Sequence, residues 1–295
     1  MYSGRVMTNA QHARVAFATE ERRADDVGVT VVVTLYNYAR FIKNALDSVL
    51  RQTHGNIELI IVDDASTDDS QSLARSWLEQ NGARLAHAKL LAHSTNRGLA
   101  QARNTAFANA TNEFVFVLDA DNEVYPDAIA RLLATCRAKN AEAAYSRIEK
   151  FGDETGTGGD AWNPARLARG NYIDAMALIR KSAWQKAGGY TQPADIQGWE
   201  DYDLWCKFVE LGFKGVFVPE LLCRYRVHGT SMLNTTTNPN LEQIKVEMTR
   251  RHPWLRLDAP PTLREKLGAV IGRLRNGVLA RNWRSREESN LRPSV

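Results

Sequence analysis

A chain of 295 residues, 44% hydrophobic and 24% charged, has the composition of a soluble globular protein and the length for one or two domains with a full core. No apolar run is long enough for a bilayer-spanning helix, which excludes an integral membrane protein. The net charge of +4 belongs to the tail: residues 241–295 hold 12 Lys/Arg against 6 Asp/Glu, leaving the first 240 residues slightly acidic. Cys136, Cys206 and Cys223 are far apart and in no C-x-x-C arrangement, so neither a disulfide framework nor a zinc site is expected, and a reducing cytoplasm is the natural home.

In chain order, Met1–Ala24 lacks the apolar core of a signal peptide, and residues 1–27 are expected to be a loose leader. Val29–Leu35 is a β-branched run that reads as a first buried strand, ending in Tyr36-Asn37. Phe41, Ile42, Ala45, Leu46, Val49 and Leu50 then recur at helical spacing. A second strand, Ile57–Val62, ends in the acidic, hydroxyl-rich turn Asp63–Asp68, which either caps the helix Ser70–Gln80 or offers a carboxylate to the N–H of a base. A short third strand, Ala88–Ala92, leads to Asn96-Arg97-Gly98, where glycine admits a close ligand and the following helix points its N-terminus at an anion. Arg97 and Arg103 add positive charge there.

Phe114–Leu118 has no polar alternation and reads as a strand covered on both faces. It delivers Asp119 and Asp121 at its C-terminal end, where α/β folds place ligands. Two carboxylates so placed can share a divalent cation with a diphosphate; the alternative is an N-cap pair for the helix from Pro126 to Lys139. Strand and helix alternate to this point, the pattern of a parallel sheet with crossover helices.

Beyond Asn140 the rhythm changes. Strands are expected at 142–148, 172–179, 213–218 and 221–227, and the polar loop 152–159 is either a lid or disordered. A short helix is expected at 181–187, and an amphipathic one follows Trp199-Glu200-Asp201, where Glu200 and Asp203 could equally serve as caps. His228 alone reads as a ligand or as a hydrogen-bonded polar residue. An apolar face recurs over 262–280 on a basic helix, which packs on the body or lies on a membrane or partner surface; packing is favoured.

These ordered motifs resemble the family 2 glycosyltransferases, which have a GT-A fold: an α/β, Rossmann-like, mostly parallel sheet flanked by helices with a smaller acceptor-side subregion. Val62-Asp-Asp-Ala-Ser-Thr-Asp68 resembles the family's Val-Asp-Asp-Gly-Ser-Thr-Asp turn, with Ala65 where glycine is usual. Asn96–Asn104, Asp119-Ala120-Asp121, Glu200-Asp201 and His228-Gly-Thr-Ser231 match further family motifs in order. The resemblance implies that Thr34, Leu35, Tyr36, Asn37 and Asp64 hold the nucleotide. Asn96, Arg97, Gly98 and Arg103 close its other side, with Asp119 and Ala120 near the ribose. It further implies Asp119, Asp121 and His228 on Mn2+ or Mg2+, Asp201 as general base, and Trp199 and Glu200 beside the acceptor.

The implied organisation is a nucleotide-sugar-binding half over 28–139, an acceptor-binding and catalytic half over 140–235, and a basic helical extension over 236–295. The implied activity is inverting, metal-dependent transfer of one sugar from a nucleotide sugar, UDP-sugar first, to a glycan or glycolipid in cell-surface polysaccharide assembly, in the cytoplasm or at the inner membrane face. The Gln-x-x-Arg-Trp motif of processive members is absent, which points to one sugar per encounter. A nucleotidyltransferase would carry a Gly-rich basic loop where Leu35–Tyr38 stands. A non-catalytic carbohydrate-binding protein is the remaining alternative, and no motif supports a nucleic-acid partner. The sequence leaves oligomeric state open.

Overall fold

The computed structural model describes residues 13–19, 27–191 and 198–258. The chain divides into two compact units, Met1–Leu255 and Arg256–Val295. The first unit begins with β1 (Ala13–Ala18), β2 (Val29–Leu35), α1 (Ile42–Leu50), β3 (Ile57–Asp63), α2 (Ser70–Asn81), β4 (His87–His93) and α3 (Leu99–Asn109). β5 (Phe114–Asp119), β6 (Glu123–Val124), α4 (Ala128–Ala138), β7 (Ala143–Gly152), β8 (Gly156–Gly158) and α5 (Pro164–Leu167) follow. The last are β9 (Ala177–Arg180), α6 (Lys181–Lys186), α7 (Glu200–Glu210), β10 (Gly215–Val227) and α8 (Leu241–Arg251).

The strands form one mixed sheet in the order β1-β4-β3-β2-β5-β9-β7-β10-β6, with β8 paired to β7. β4, β3, β2 and β5 run parallel, as do β7 and β10, while β9 is inserted antiparallel between the two groups. Every residue of β2 and β3 is buried, because helices cover both faces and leave no room for polar alternation. On one face Val31, Val33, Leu59 and Ile61 pack with Ile42, Leu46, Trp77 and Leu132 of α1, α2 and α4. On the other, α3 lies across β2 and β3. Each such aliphatic side chain contributes about 1.5–3 kcal/mol on burial, so the strand ends are held by the best-packed part of the molecule.

Several expectations need correction. The stretch read as a loose leader contains β1, which pairs antiparallel with β4 through Ala13–His93 and covers what would otherwise be an exposed sheet edge. Its alanine-rich, half-exposed run has no apolar–polar alternation, which hides it from pattern reading. The strand expected over 172–179 is confined to β9, because residues 171–175 leave the sheet to line a cavity. The polar loop 152–159 carries β8, and the two strands expected on either side of Pro219-Glu220 are one strand, β10. The register passes from Val218–Ser146 directly to Leu221–Arg147, so Pro219 and Glu220 sit in a bulge where proline's missing donor costs nothing. α8 belongs to the first unit, which runs past the expected boundary at 236 to Leu255. The helix expected over 262–280 lies outside the described residues.

Candidate active site

Parallel register aligns the first set of groups. Thr34 lies opposite Asp119 and Leu35 opposite Asp63, so three strands release their chains at one level. Past that level the backbone turns sharply: Asn37 and Ala65 both adopt the left-handed region, at φ 57° and 61°. Asn37 Oδ1 accepts from the Thr67 amide at 2.8 Å, and Asp68 Oδ1 caps α2 by accepting from the Ser70 amide at 2.9 Å. Ala65 is a non-glycine where the conformation favours glycine, at a cost of roughly 1–2 kcal/mol.

Asp64 is buried, and its carboxylate organises the next turn. Oδ1 accepts from His93 Nδ1 at 2.6 Å and from the Arg97 amide at 2.9 Å; Oδ2 accepts from the Gly98 amide at 2.8 Å. Gly98, at φ 84°, then starts α3. The far nitrogen of His93 reaches Thr105 Oγ1 at 2.9 Å, which ties the carboxylate to the body of that helix. Arg97 therefore contributes its backbone N–H.

Arg103 Nη2 donates to Asp119 Oδ1 at 2.8 Å. Burial works to lower the guanidinium's pKa, but Asp119, Tyr190, Glu200 and Asp201 outweigh it, so a fixed positive charge stands at the centre of an acidic group. Asp121 is pushed upward by burial first and by the Asp119 charge second, and His228 only partly offsets this. His228 Nε2 lies 3.0 Å from Asp121 Oδ2, while its Nδ1 lies 3.3 Å from Arg40 Nη2 and 3.0 Å from Thr230 Oγ1. A guanidinium can only donate, which places the ring proton on Nε2, facing Asp121.

Across the cavity, Trp199 enters α7 at φ 62°, a conformation rare for a bulky residue. Glu200 is buried and its Oε1 accepts from the Gly198 amide at 3.0 Å, so it braces the helix start. Asp201, half-buried, accepts from Asn171 Nδ2 at 2.9 Å on Oδ2 and from the Tyr202 amide at 2.8 Å on Oδ1. Burial raises its pKa against the opposing pull of Arg103 and Asn171. Asp174 accepts from the Met176 amide at 2.9 Å and is pushed up to about 7, by burial above all. Asp203 points away from the cavity and contacts Lys207 Nζ at 2.7 Å, Arg251 Nη2 at 2.6 Å and His252 Nε2 at 3.1 Å. His252 also reaches Glu210 at 2.8 Å, which ties α8 to α7. Asp203 is thus no helix cap.

The two walls enclose a cavity of about 920 Å³. Of the residues singled out in the sequence, Thr34, Leu35, Tyr36, Asn37, Asp64, Asn96, Gly98 and Arg103 line it. Asp119, Ala120, Asp121, Trp199, Glu200 and Asp201 line it as well. Arg97 and His228 do not, and His228 stands behind Asp121. Sequence reading missed Asn171, Asp174 and most of the run Thr230–Thr237, which line the cavity too.

A divalent cation is the cofactor this fold family implies. The oxygens of Asp119 and Asp121 suit a hard cation, whose charge would offset the burial and the Asp119 repulsion that raise the pKa of Asp121. Among the described residues, however, no three His, Cys, Asp or Glu side chains form a preformed cage. That combination fits a cation held by one or two carboxylates with a substrate's phosphates completing its shell. His228 could join only by passing its proton to Nδ1, for which Thr230 Oγ1 is the available acceptor.

Residues 30–194 match the model of Glycosyl transferase family 2, more than half of the chain, and the protein belongs to that family. It is accordingly a glycosyltransferase, with the GT-A fold. EpsE of Bacillus subtilis, assigned as a glycosyltransferase, is 28% identical over 204 residues, covering 67% of this chain and 72% of its own. YibD of Escherichia coli K12, an uncharacterized glycosyltransferase, is 32% identical over 160 residues, covering 54% of this chain and 43% of its own. The chain thus spans less than half of YibD. Among solved structures, S. aureus TarS (residues 1–349) in complex with UDP-GlcNAc superposes with a TM-score of 0.61 at 16% identity, covering 79% of this chain and 68% of that one. The mannosyltransferase PcManGT of Pyrobaculum calidifontis, with GDP-Man and Mn2+, gives 0.58 at 23% identity, covering 79% and 66%. Among the described residues no helix is long and apolar enough to cross a membrane.

Proposed function

We propose that the protein is an inverting glycosyltransferase that moves one hexosyl unit at a time from a nucleotide sugar, a UDP-sugar first, to a hydroxyl of a glycan or glycolipid, using Mn2+ or Mg2+. The observation that carries this reading is that Asp201 and the Asp119–Asp121 pair line one cavity. Asp201 takes the proton of the acceptor hydroxyl. The acceptor oxygen bonds to the anomeric carbon from the face opposite the leaving group, the bond to the diphosphate breaks, and its electrons pass to the nucleoside diphosphate. One such displacement inverts the carbon. Burial raises the pKa of Asp201, which makes it a stronger base than an exposed aspartate, provided the pH keeps it ionised.

On the opposite wall Asp64 has acceptor capacity beyond its three internal bonds and would take the N–H of the base. Asp119 and Asp121, with His228 behind them, would hold the cation, which when bound supplies positive charge to the leaving diphosphate. Arg103 orients Asp119 for that purpose. Trp199 and Glu200 border the acceptor. The basic tail would bring the enzyme to the inner membrane face, where lipid-linked acceptors of cell-surface polysaccharide assembly are met.

UDP-GlcNAc in TarS and GDP-Man in PcManGT make the nucleotide comparison the first experiment. In calorimetric titrations with UDP and with GDP, each with Mn2+ and with EDTA, UDP binding should need the cation and should disappear in Asp121→Ala. No nucleotide binding under any of these conditions would overturn the proposal.

A further inference from the structure

We infer that Asn171 is the positioning residue of the proposed base, fixing which lone pairs of Asp201 face the acceptor hydroxyl; the inference rests on the assignment of Asp201 to that role. The amide of Asn171 can be oriented from its own bonds. Oδ1 accepts from the Ile173 amide at 3.2 Å, an Asx turn that closes on itself. Nδ2 is thereby turned outward, 2.9 Å from Asp201 Oδ2. The backbone turn sets the amide, and the amide sets the carboxylate.

The other oxygen of Asp201 is held by the Tyr202 amide at 2.8 Å, so each oxygen has one donor in a known direction and keeps its remaining capacity for substrate. Neither bond alone would suffice, since a carboxylate held at one oxygen can still swing about its Cβ–Cγ bond. Arg103 on α3, Asp119 on β5, Glu200 and Cys206 on α7, and Asp174 and Tyr190 all act on Asp201 through space. Among the described residues, Asn171 is the side chain that donates a directed hydrogen bond to it. Donation to the ionised form also opposes the effect of burial, so the same contact keeps the base deprotonated at lower pH.

The decisive variant is Asn171→Asp. Aspartate keeps the oxygen that accepts from Ile173, preserving the turn, and replaces the donor with a like charge. Turnover should fall on the order of 100-fold, the scale of a misplaced catalytic group. The acid limb of the kcat–pH profile should move upward by about one unit or more, because the carboxylate is harder to ionise. The donor KM and the affinity for UDP with Mn2+ should stay near wild type. Asn171→Ser, which retains a short donor, should recover part of kcat.

An unshifted pH profile, or a loss of kcat matched by an equal loss of UDP affinity, would overturn the inference, the latter by showing that Asn171 merely supports the fold. Asp201→Asn measured alongside separates the two ideas. If it turns over normally, the base assignment itself fails. If it is inactive while Asn171→Asp is unaffected, only the role of Asn171 falls.

Discussion

The two walls of the cavity are built by different means. The wall bearing Asp64 and Asp119 is made of strand ends in parallel register, each anchored by a fully buried run. The wall bearing Asn171, Asp174 and Asp201 is made of a coil segment, a left-handed residue at Trp199 and the first turn of α7. Register fixes groups to within the spacing of a sheet, whereas coil must be held by individual hydrogen bonds. The first wall therefore derives its precision from packing, and the second from polar contacts that single substitutions can remove.

The sharpest separation comes from Asp201→Asn. Its side chain keeps nearly the same volume but cannot take a proton, so kcat should fall by about 10²–10⁴ while UDP affinity stays unchanged in the same titration. Next in size, Asp64→Ala strands the amide of Arg97 and one nitrogen of His93 and leaves the Gly98 amide with Asn96 Oδ1 alone, at 3.2 Å. A loss of about 3 kcal/mol is expected, read from the urea midpoint, and UDP binding should weaken with it. If Asp64→Ala were neutral for stability, the turn would not depend on that carboxylate.

Asp174 tests the second wall through pH. Its pKa in the folded chain, about 7, lies above the ordinary aspartate value of 3.8. The unfolded chain thus gives up the proton first, and stability falls as pH rises from about 4 to 7. Asp174→Asn should melt at a higher temperature than wild type at about pH 8, and the difference should vanish near pH ~4. An equal difference at both pH values would mean that Asp174 is not buried in its acid form. The smallest effect belongs to the first wall: Ala65→Gly, relieving φ 61°, should stabilise by up to about 1 kcal/mol, a few degrees in Tm.

The same contrast explains what the sequence disclosed. β2, β3 and β5 are largely apolar runs, and β3 and β5 end in acids, so both the strands and the strand-end positions of Asp63, Asp64, Asp119 and Asp121 could be read directly. Asp201 was legible only through its motif, since the acids beside it, Glu200 and Asp203, read equally well as helix caps. Asn171 was invisible because its contact with Asp201 depends on an Asx turn meeting a helix some thirty residues later. β1 escaped because an edge strand with half-exposed residues has no alternation to detect. The bulge at Pro219 disguised one strand as two.

The contact of α8 with α7 bears on how this enzyme can be divided. The family match ends at residue 194, before Asp201, and Asp203 is paired with Arg251 and hydrogen-bonded to His252 from the far side. A chain cut at Asn240 would keep every cavity-lining residue yet leave Asp203 and Glu210 of α7 without those partners. The stretch by which kinship is recognised is therefore shorter than the stretch that must be inherited together, and a gene fusion or exchange that respects only the former would carry over a site whose footing stays behind.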